Sequence, residues 1–147
     1  MEDLDQQVRQ QVYTEVLASG RVPSSSALAA TLTSDVSAVQ TALVRLADAH
    51  VLVLQPDGEI LMAPPFSAVP TPFLVTADDG WQTYGNCIWD ALGVLAMKGV
   101  DGRIESACGC CGQAMEVDVR DGAPREAEGV LHFAIPARLW WEDIVYT

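Results

Sequence analysis

Residues 51–62 read Val-Leu-Val-Leu-Gln-Pro-Asp-Gly-Glu-Ile-Leu-Met, two apolar stretches on either side of an Asp-Gly turn. This pattern predicts a β-hairpin. Upstream, apolar residues recur at helical spacing, which predicts helices over residues 5–19, over residues 27–32 and from about residue 34. We expect the third helix to bury Val36, Val39, Leu43, Val44 and Leu46. Three helices followed by a hairpin is the order of a winged-helix-like lobe, which we place at residues 1–62.

A proline-rich segment follows this lobe. Residues 63–72 contain four prolines, which favour a stiff and extended connector. We therefore expect a second lobe over residues 73–147. In it, the pattern predicts a helix over residues 87–98. Predicted strands cover residues 73–76, 81–84, 103–107, 114–119, 130–135 and 140–146. The predicted fold class is α+β, a mostly antiparallel sheet with a packed helix.

The charge of the chain argues against nucleic acid as a partner. The net charge is −12 over 147 residues. In residues 1–65 three bases, Arg9, Arg21 and Arg45, face eight acids. These acids are Glu2, Asp3, Asp5, Glu15, Asp35, Asp48, Asp57 and Glu59. Because DNA binding depends on phosphate neutralisation by Lys and Arg, a structural role for this lobe is favoured over DNA recognition.

The sequence also predicts a cytoplasmic protein without a membrane partner. No apolar run approaches the roughly 20 residues that a membrane helix needs. The acidic N-terminus, residues 1–5, lacks the basic and apolar regions of a signal peptide. In a reducing compartment the four cysteines are expected to be thiols or metal ligands rather than disulfides.

Cys87 and Asp90 lie three residues apart at the predicted start of a helix, on one helical face. With Asn86 as the N-cap, Cys87 would lie in the first turn, where the helix dipole lowers a thiol pKa. The alternative is that Cys87 is a small buried hydrophobe. Asp90 is either a solvated acid of the first turn or a partly buried proton donor with a raised pKa.

A second cysteine cluster lies at residues 107–112. Cys108 and Cys111 have the spacing of one half of a zinc site, but the sequence contains no second such pair. Cys108, Cys110 and Cys111 are therefore candidate ligands of a soft metal bound by two or three thiolates, or small side chains that fill a glycine-rich hairpin. Trp140 and Trp141 are expected in the core or in a pocket wall.

Several of these segments together resemble the organomercurial (alkylmercury) lyases: residues 66–73, 86–93, 104–108 and 140–141. The resemblance implies cleavage of a carbon–mercury bond by protonolysis, to a hydrocarbon and mercuric ion. It implies that Cys87 binds mercury as thiolate and that Asp90 transfers the proton. Cys108 matches a structural cysteine of the family, and Cys110 and Cys111 are additional. The family's second catalytic cysteine would fall at or just after Thr147, where the chain stops.

The resemblance further implies that no cofactor is required. Mercury is the substrate and product ion, and an external thiol removes it, with hand-off to a thiol or to a mercuric-ion reductase. Within this interpretation the chain is either a truncated form or a natural short homologue, and in the second case Cys110 or Cys111 would supply the missing thiolate. Two other interpretations stay open: a non-catalytic protein that binds mercuric ion or copper(I), and a winged-helix regulator.

Overall fold

The computed structural model describes residues 3–125 and 128–146. Three helices open the chain: α1 (Asp3–Ser19), α2 (Ser25–Leu32) and α3 (Val36–Asp48). The N-cap Ser24 begins α2, since its hydroxyl accepts a hydrogen bond from the Ala27 N–H at 3.2 Å. The three helices enclose a first core, whose fully buried members include Val8, Val12, Leu28, Val39, Leu43 and Leu46.

Two predicted core residues of α3 are exposed instead. Val36 is 42% exposed and Val44 is 49% exposed. Val36 borders an open depression at the junction of α2 and α3. Val44 directly follows the buried residues Ala42 and Leu43. Because successive residues of a helix are rotated by about 100°, its side chain points away from the buried face.

The strands are β1 (Val53–Leu54), β2 (Ile60–Ala63), β3 (Phe66–Ser67), β4 (Leu74–Ala77), β5 (Gln82–Gly85), β6 (Gly102–Ala107), β7 (Ala114–Arg120) and β8 (Ala123–Arg125). Among the described residues they form one antiparallel sheet in the order β1-β2-β3-β5-β4-β6-β7-β8. The predicted α+β class is confirmed, and the predicted hairpin is the pair β1–β2.

The predicted connector contributes a strand to this sheet. β3 pairs with β2 through Ala63↔Phe66 and with β5 through Phe66↔Gly85. Backbone hydrogen bonds therefore run without a break from the hairpin into the sheet of the second half. The division into lobes at residues 1–62, 63–72 and 73–147 stays a prediction.

Helix α4 (Ile88–Lys98) packs against this sheet. A second core lies between them, and its buried members are Val16, Phe66, Val75, Ala91, Val94, Leu95, Ile104 and Val119. Contact between β5 and α4 is very close at Gly85, where an added Cβ would lie 2.8 Å from the Ala91 nitrogen. Only glycine allows this approach, so Gly85 sets the position of the first turn of α4.

Two predicted strands near the C-terminus are wrong. Residues 130–135 have no regular structure, and residues 140–146 contain the end of a 3₁₀ helix, Ala137–Glu142, followed by a turn. Pro136 cannot donate to a strand ladder, and the Trp140 indole N–H donates to the Ile135 carbonyl at 2.9 Å. Phe133 packs on Trp89 of α4 instead of a neighbouring strand.

Within the described ranges, no single helix is long and apolar enough to cross a membrane. The pair α2 and α3, bent by 114° at their junction, meets that test by length and composition.

Candidate active site

Cys87 lies where β5 ends and α4 begins. Its backbone is extended, with φ −145° and ψ 179°, and its sulfur accepts a hydrogen bond from the Asp90 N–H at 3.4 Å. Cys87 is therefore the N-cap of α4, and the prediction that Asn86 has this role was wrong. The thiol lies one helical turn before Asp90, at the positive end of the helix dipole.

Asp90 is held from the opposite side by Asn86. The Asn86 side-chain amide donates to Asp90 Oδ2 at 2.9 Å. Burial raises the pKa of Asp90, and the hydrogen bond from Asn86 lowers this pKa by less. The predicted raised pKa is confirmed. The buried Oδ1 of Asn86 has no hydrogen-bond partner among the described residues. Rotation of this amide would let Oδ1 accept a hydrogen bond from the hydroxyl of a neutral Asp90, so Asn86 can serve both protonation states.

Burial raises the pKa of the Cys87 thiol, and the Asp90 charge raises it further. The hydrogen bond from the Asp90 N–H opposes this change in pKa but does not outweigh it. The predicted lowering of the Cys87 pKa was therefore wrong, because desolvation destabilises the half-buried thiolate more than the helix N-terminus stabilises it. Simultaneous ionisation of the Cys87 thiol and the Asp90 carboxyl is therefore unfavourable.

Both side chains line a cavity of about 220 Å³. Its wall combines the α4 start with two more distant segments, and the lining residues are Met62, Pro64, Asn86, Cys87, Trp89, Asp90, Phe133, Trp140, Trp141, Ile144 and Val145. Phe133 connects the aromatic part of the wall, with its ring centroid 6.0 Å from that of Trp89 and 5.2 Å from that of Trp140. The expectation that Trp140 and Trp141 form a pocket wall is met.

The N-terminal half holds the other side of this cavity. His50 stacks on Trp141 with a centroid distance of 4.3 Å and an interplanar angle of 5°. Tyr13 donates to the Pro64 carbonyl at 3.0 Å. Burial, and to a lesser degree the Asp90 charge, raises the pKa of Tyr13, whereas Arg9 lowers it. The cavity is thus enclosed by both halves of the chain.

Comparison with known proteins identifies the family. The family model described as MerB, alkylmercury lyase, matches residues 66–147, more than half of the chain. The chain belongs to the alkylmercury lyase family. A comparison with curated proteins found no match.

A solved structure supports the fold of this family member. The fold of this chain is similar to that in the crystal structure of the mercury-bound form of MerB2, with a TM-score of 0.63 and 23% sequence identity. The match covers 81% of this chain and 58% of that one. The chain thus spans a little over half the length of the protein that it resembles.

In this alkylmercury lyase family member, the remaining cysteines lie apart from the cavity. Cys108 is half-buried and Cys110 and Cys111 are exposed, all in the turn between β6 and β7. The cavity-lining residues do not include them. In the described part of the chain, no group of three or more His, Cys, Asp or Glu side chains is arranged to hold a metal ion. A three-thiolate site is therefore not assembled in this structure.

Sequence reasoning missed several residues of the site. Met62 and Pro64 were assigned to the hairpin and the connector, and nothing in the sequence indicated that they would face Cys87. Phe133 was placed in a strand, because alternating apolar residues hid its role in the wall. Asn86 was noticed for the wrong reason: its side chain binds the carboxyl of Asp90, not the backbone of the helix.

Proposed function

We propose that this chain cleaves the carbon–mercury bond of organomercurials by protonolysis, releasing a hydrocarbon and leaving mercuric ion on sulfur. The observation that carries the proposal is the pairing of the Cys87 thiol and the Asp90 carboxyl one turn apart in a single cavity. The family model supports it, since its match includes both residues.

In the first step the mercury of R–Hg–X approaches the Cys87 sulfur. Because the pKa of this thiol is raised, it needs a base when it forms the sulfur–mercury bond. The Asp90 carboxylate, which lines the same cavity, accepts the proton, while X leaves as its anion. Soft sulfur favours mercury, and loss of the thiol proton frees the sulfur lone pair for the sulfur–mercury bond.

In the second step the proton moves from Asp90 to carbon. The electron pair of the carbon–mercury bond forms the new carbon–hydrogen bond, and X or an external thiolate takes the vacated position on mercury. The proton lost by Cys87 is the one gained by the hydrocarbon, so R–Hg–X and the thiol give R–H and Cys87–S–Hg–X. A carboxyl whose pKa is raised by burial is a weaker acid and a stronger base than an exposed one, which suits it to accept and return a proton.

The wall of the cavity favours this substrate class. Trp89, Phe133 and Trp140 present apolar rings beside the reacting pair, which suits an alkyl or aryl group on mercury. An external thiol would remove the product ion, in keeping with the reducing, cytoplasmic setting that the sequence predicts. Hand-off to a mercuric-ion reductase is a further part of the proposal.

The test is release of methane from methylmercury in the presence of excess thiol, measured by gas chromatography. Wild type should release methane above the level of Cys87→Ser, which loses the nucleophile. Asp90→Ala should still bind methylmercury through Cys87 but release methane at least about 100-fold more slowly, the low end for loss of a general acid–base. Equal release by wild type and Cys87→Ser would refute the proposal.

A second candidate function is tight binding of mercuric ion or copper(I) without cleavage. It is favoured by one observation: among the described cavity-lining residues, Cys87 carries the sole thiol. An external thiolate would then complete the coordination and no hydrocarbon would form. The same methane assay, combined with a count of bound mercury, separates the two functions.

A further inference from the structure

The turn between β6 and β7 holds its cysteines in a fixed geometry. The Cys108 N–H donates to the Gln113 carbonyl at 2.8 Å, and the Gly112 N–H donates to the Cys108 carbonyl at 2.8 Å. Gly112 has φ +73°, a backbone conformation that favours glycine. Cys108 and Cys111 thus lie in one closed turn at the end of a six-residue strand pairing.

The sulfur of Cys108 is the acceptor for the groups around it. The backbone N–H groups of Cys111 and Cys110 donate to it, and so does the Cys111 thiol. These contacts place the Cys111 thiol within hydrogen-bonding reach of the Cys108 sulfur. Two cysteine sulfurs in contact at the surface of one turn can bind a single soft cation together.

The number of available ligands determines which cation this pair of cysteines can bind. Among the residues that the structure describes, no third His, Cys, Asp or Glu joins a group that could hold a metal. Zinc in structural sites takes four ligands, so the pair alone does not suit it. Two soft thiolates suit a thiophilic ion of low coordination number, and mercuric ion satisfies this with two sulfurs.

We propose that Cys108 and Cys111 form a second mercuric-ion site, outside the cavity, that holds the ion between two thiolates. The site takes mercury from its complex with two external thiolates. Each incoming sulfur displaces one of them, and the protons lost by Cys108 and Cys111 leave on the two released thiols. The source of the ion rests on the proposed function, whereas the chelation itself does not.

The test uses the full chain with Cys87→Ser, so that the cavity cannot bind mercury. Mercuric chloride is supplied with an excess of 2-mercaptoethanol, and the bound mercury is counted after gel filtration. One mercury per chain is expected in Cys87→Ser. Adding Cys108→Ser or Cys111→Ser should abolish retention. Adding Cys110→Ser, the matched control in the same turn, should leave it unchanged.

Two results would overturn this site: no retained mercury in Cys87→Ser, or an equal loss with Cys110→Ser. Circular dichroism of each variant separates loss of the site from loss of the fold. The outcome is distinguishable from that of the proposed function, because methane release by Cys108→Ser, in the presence of excess thiol, is expected to equal that of wild type.

Discussion

Asp90 combines two properties that oppose each other. Its carboxyl lies in a cavity with an aromatic wall, and burial raises its pKa. The same burial makes the charged form unfavourable in the folded chain. The single hydrogen bond from Asn86 recovers part of this cost. A residue of this kind reduces stability at a pH where the carboxyl is charged.

The consequence is a pH-dependent gain in stability on Asp90→Asn. Because the folded pKa lies above the unfolded value of about 3.9, the contribution of Asp90 to stability is greatest below the unfolded pKa and is lost as pH rises through the folded pKa. Asp90→Asn removes this decrease. The variant should therefore melt at a higher temperature than wild type at pH 7, and the difference should shrink as pH approaches 3.

Thermal denaturation between pH 3 and pH 8 measures this difference. Asp35→Asn is the control, since Asp35 is exposed and caps α3 without a side-chain hydrogen bond. It should stay within about 0.5 kcal/mol of wild type. A wild type as stable as Asp90→Asn at pH 7 would show that burial does not penalise the Asp90 charge.

At the scale of elements, the junction of β5 and α4 positions the reacting pair. The strand ends at Gly85, the helix begins at Ile88, and Cys87 caps the helix between them. The sequence predicted this helix and its neighbouring strands, because apolar spacing and the stop at Gly99 are local signals. It could not predict how closely strand and helix approach, since that depends on packing between distant segments.

Gly85→Ala tests this close approach. Its methyl group would meet the backbone of Ala91 at 2.8 to 2.9 Å, so we expect a loss of about 1–3 kcal/mol in the free energy of unfolding. Gly93→Ala is the matched control in α4, where the nearest atom is 3.8 Å away, and it should stabilise by about 0.5–1 kcal/mol. Urea denaturation measures both, and a neutral Gly85→Ala would contradict the packing argument.

The C-terminal segment shows where sequence patterns fail. Residues 130–135 and 140–146 alternate or cluster apolar side chains as strands do, yet their aromatic rings cover a cavity. Their partners, Trp89 and His50, lie 44 or more residues away in the chain. Hydrophobic periodicity indicates which side chains are buried, but it does not indicate which distant residues they pack against.

His50→Asn should loosen this segment, since it removes the stack on Trp141 while asparagine tolerates the φ of +58° at this position. A ring pair worth about 0.5–1.5 kcal/mol corresponds to local opening increased about 2- to 12-fold. Tryptic cleavage after the exposed Arg138 measures it. His132→Asn, at an exposed histidine of the same segment, is the control, and equal cleavage rates in both variants would contradict the stack's role.

At the scale of the whole molecule, one sheet connects the N-terminal helices to the site. The predicted α+β class and the order of three helices and a hairpin follow from local patterns. The continuous sheet was not foreseen, because β3 has only two residues inside a proline-rich stretch. Met62 and Pro64 reach the cavity through this continuity.

The N-terminal helices contribute structure rather than a basic surface. Arg45, the single base of α3, donates to Asp5 of α1 at 2.7 Å, and Asp5 is 2% exposed. The guanidinium of Arg45, which would be needed to bind a DNA phosphate, is thus held in an ion pair with Asp5. Together with the net charge of −12, the pair supports the structural interpretation of this half over the winged-helix regulator.

The most direct test of the cysteine–aspartate chemistry is turnover of phenylmercury in D₂O with excess thiol, followed by mass spectrometry of the benzene. We predict benzene that carries one deuterium, released by wild type well above the Cys87→Ser level. Phenylmercury bound through Cys87 in the wild type, with no release of deuterated benzene above that level, would contradict protonolysis at this site.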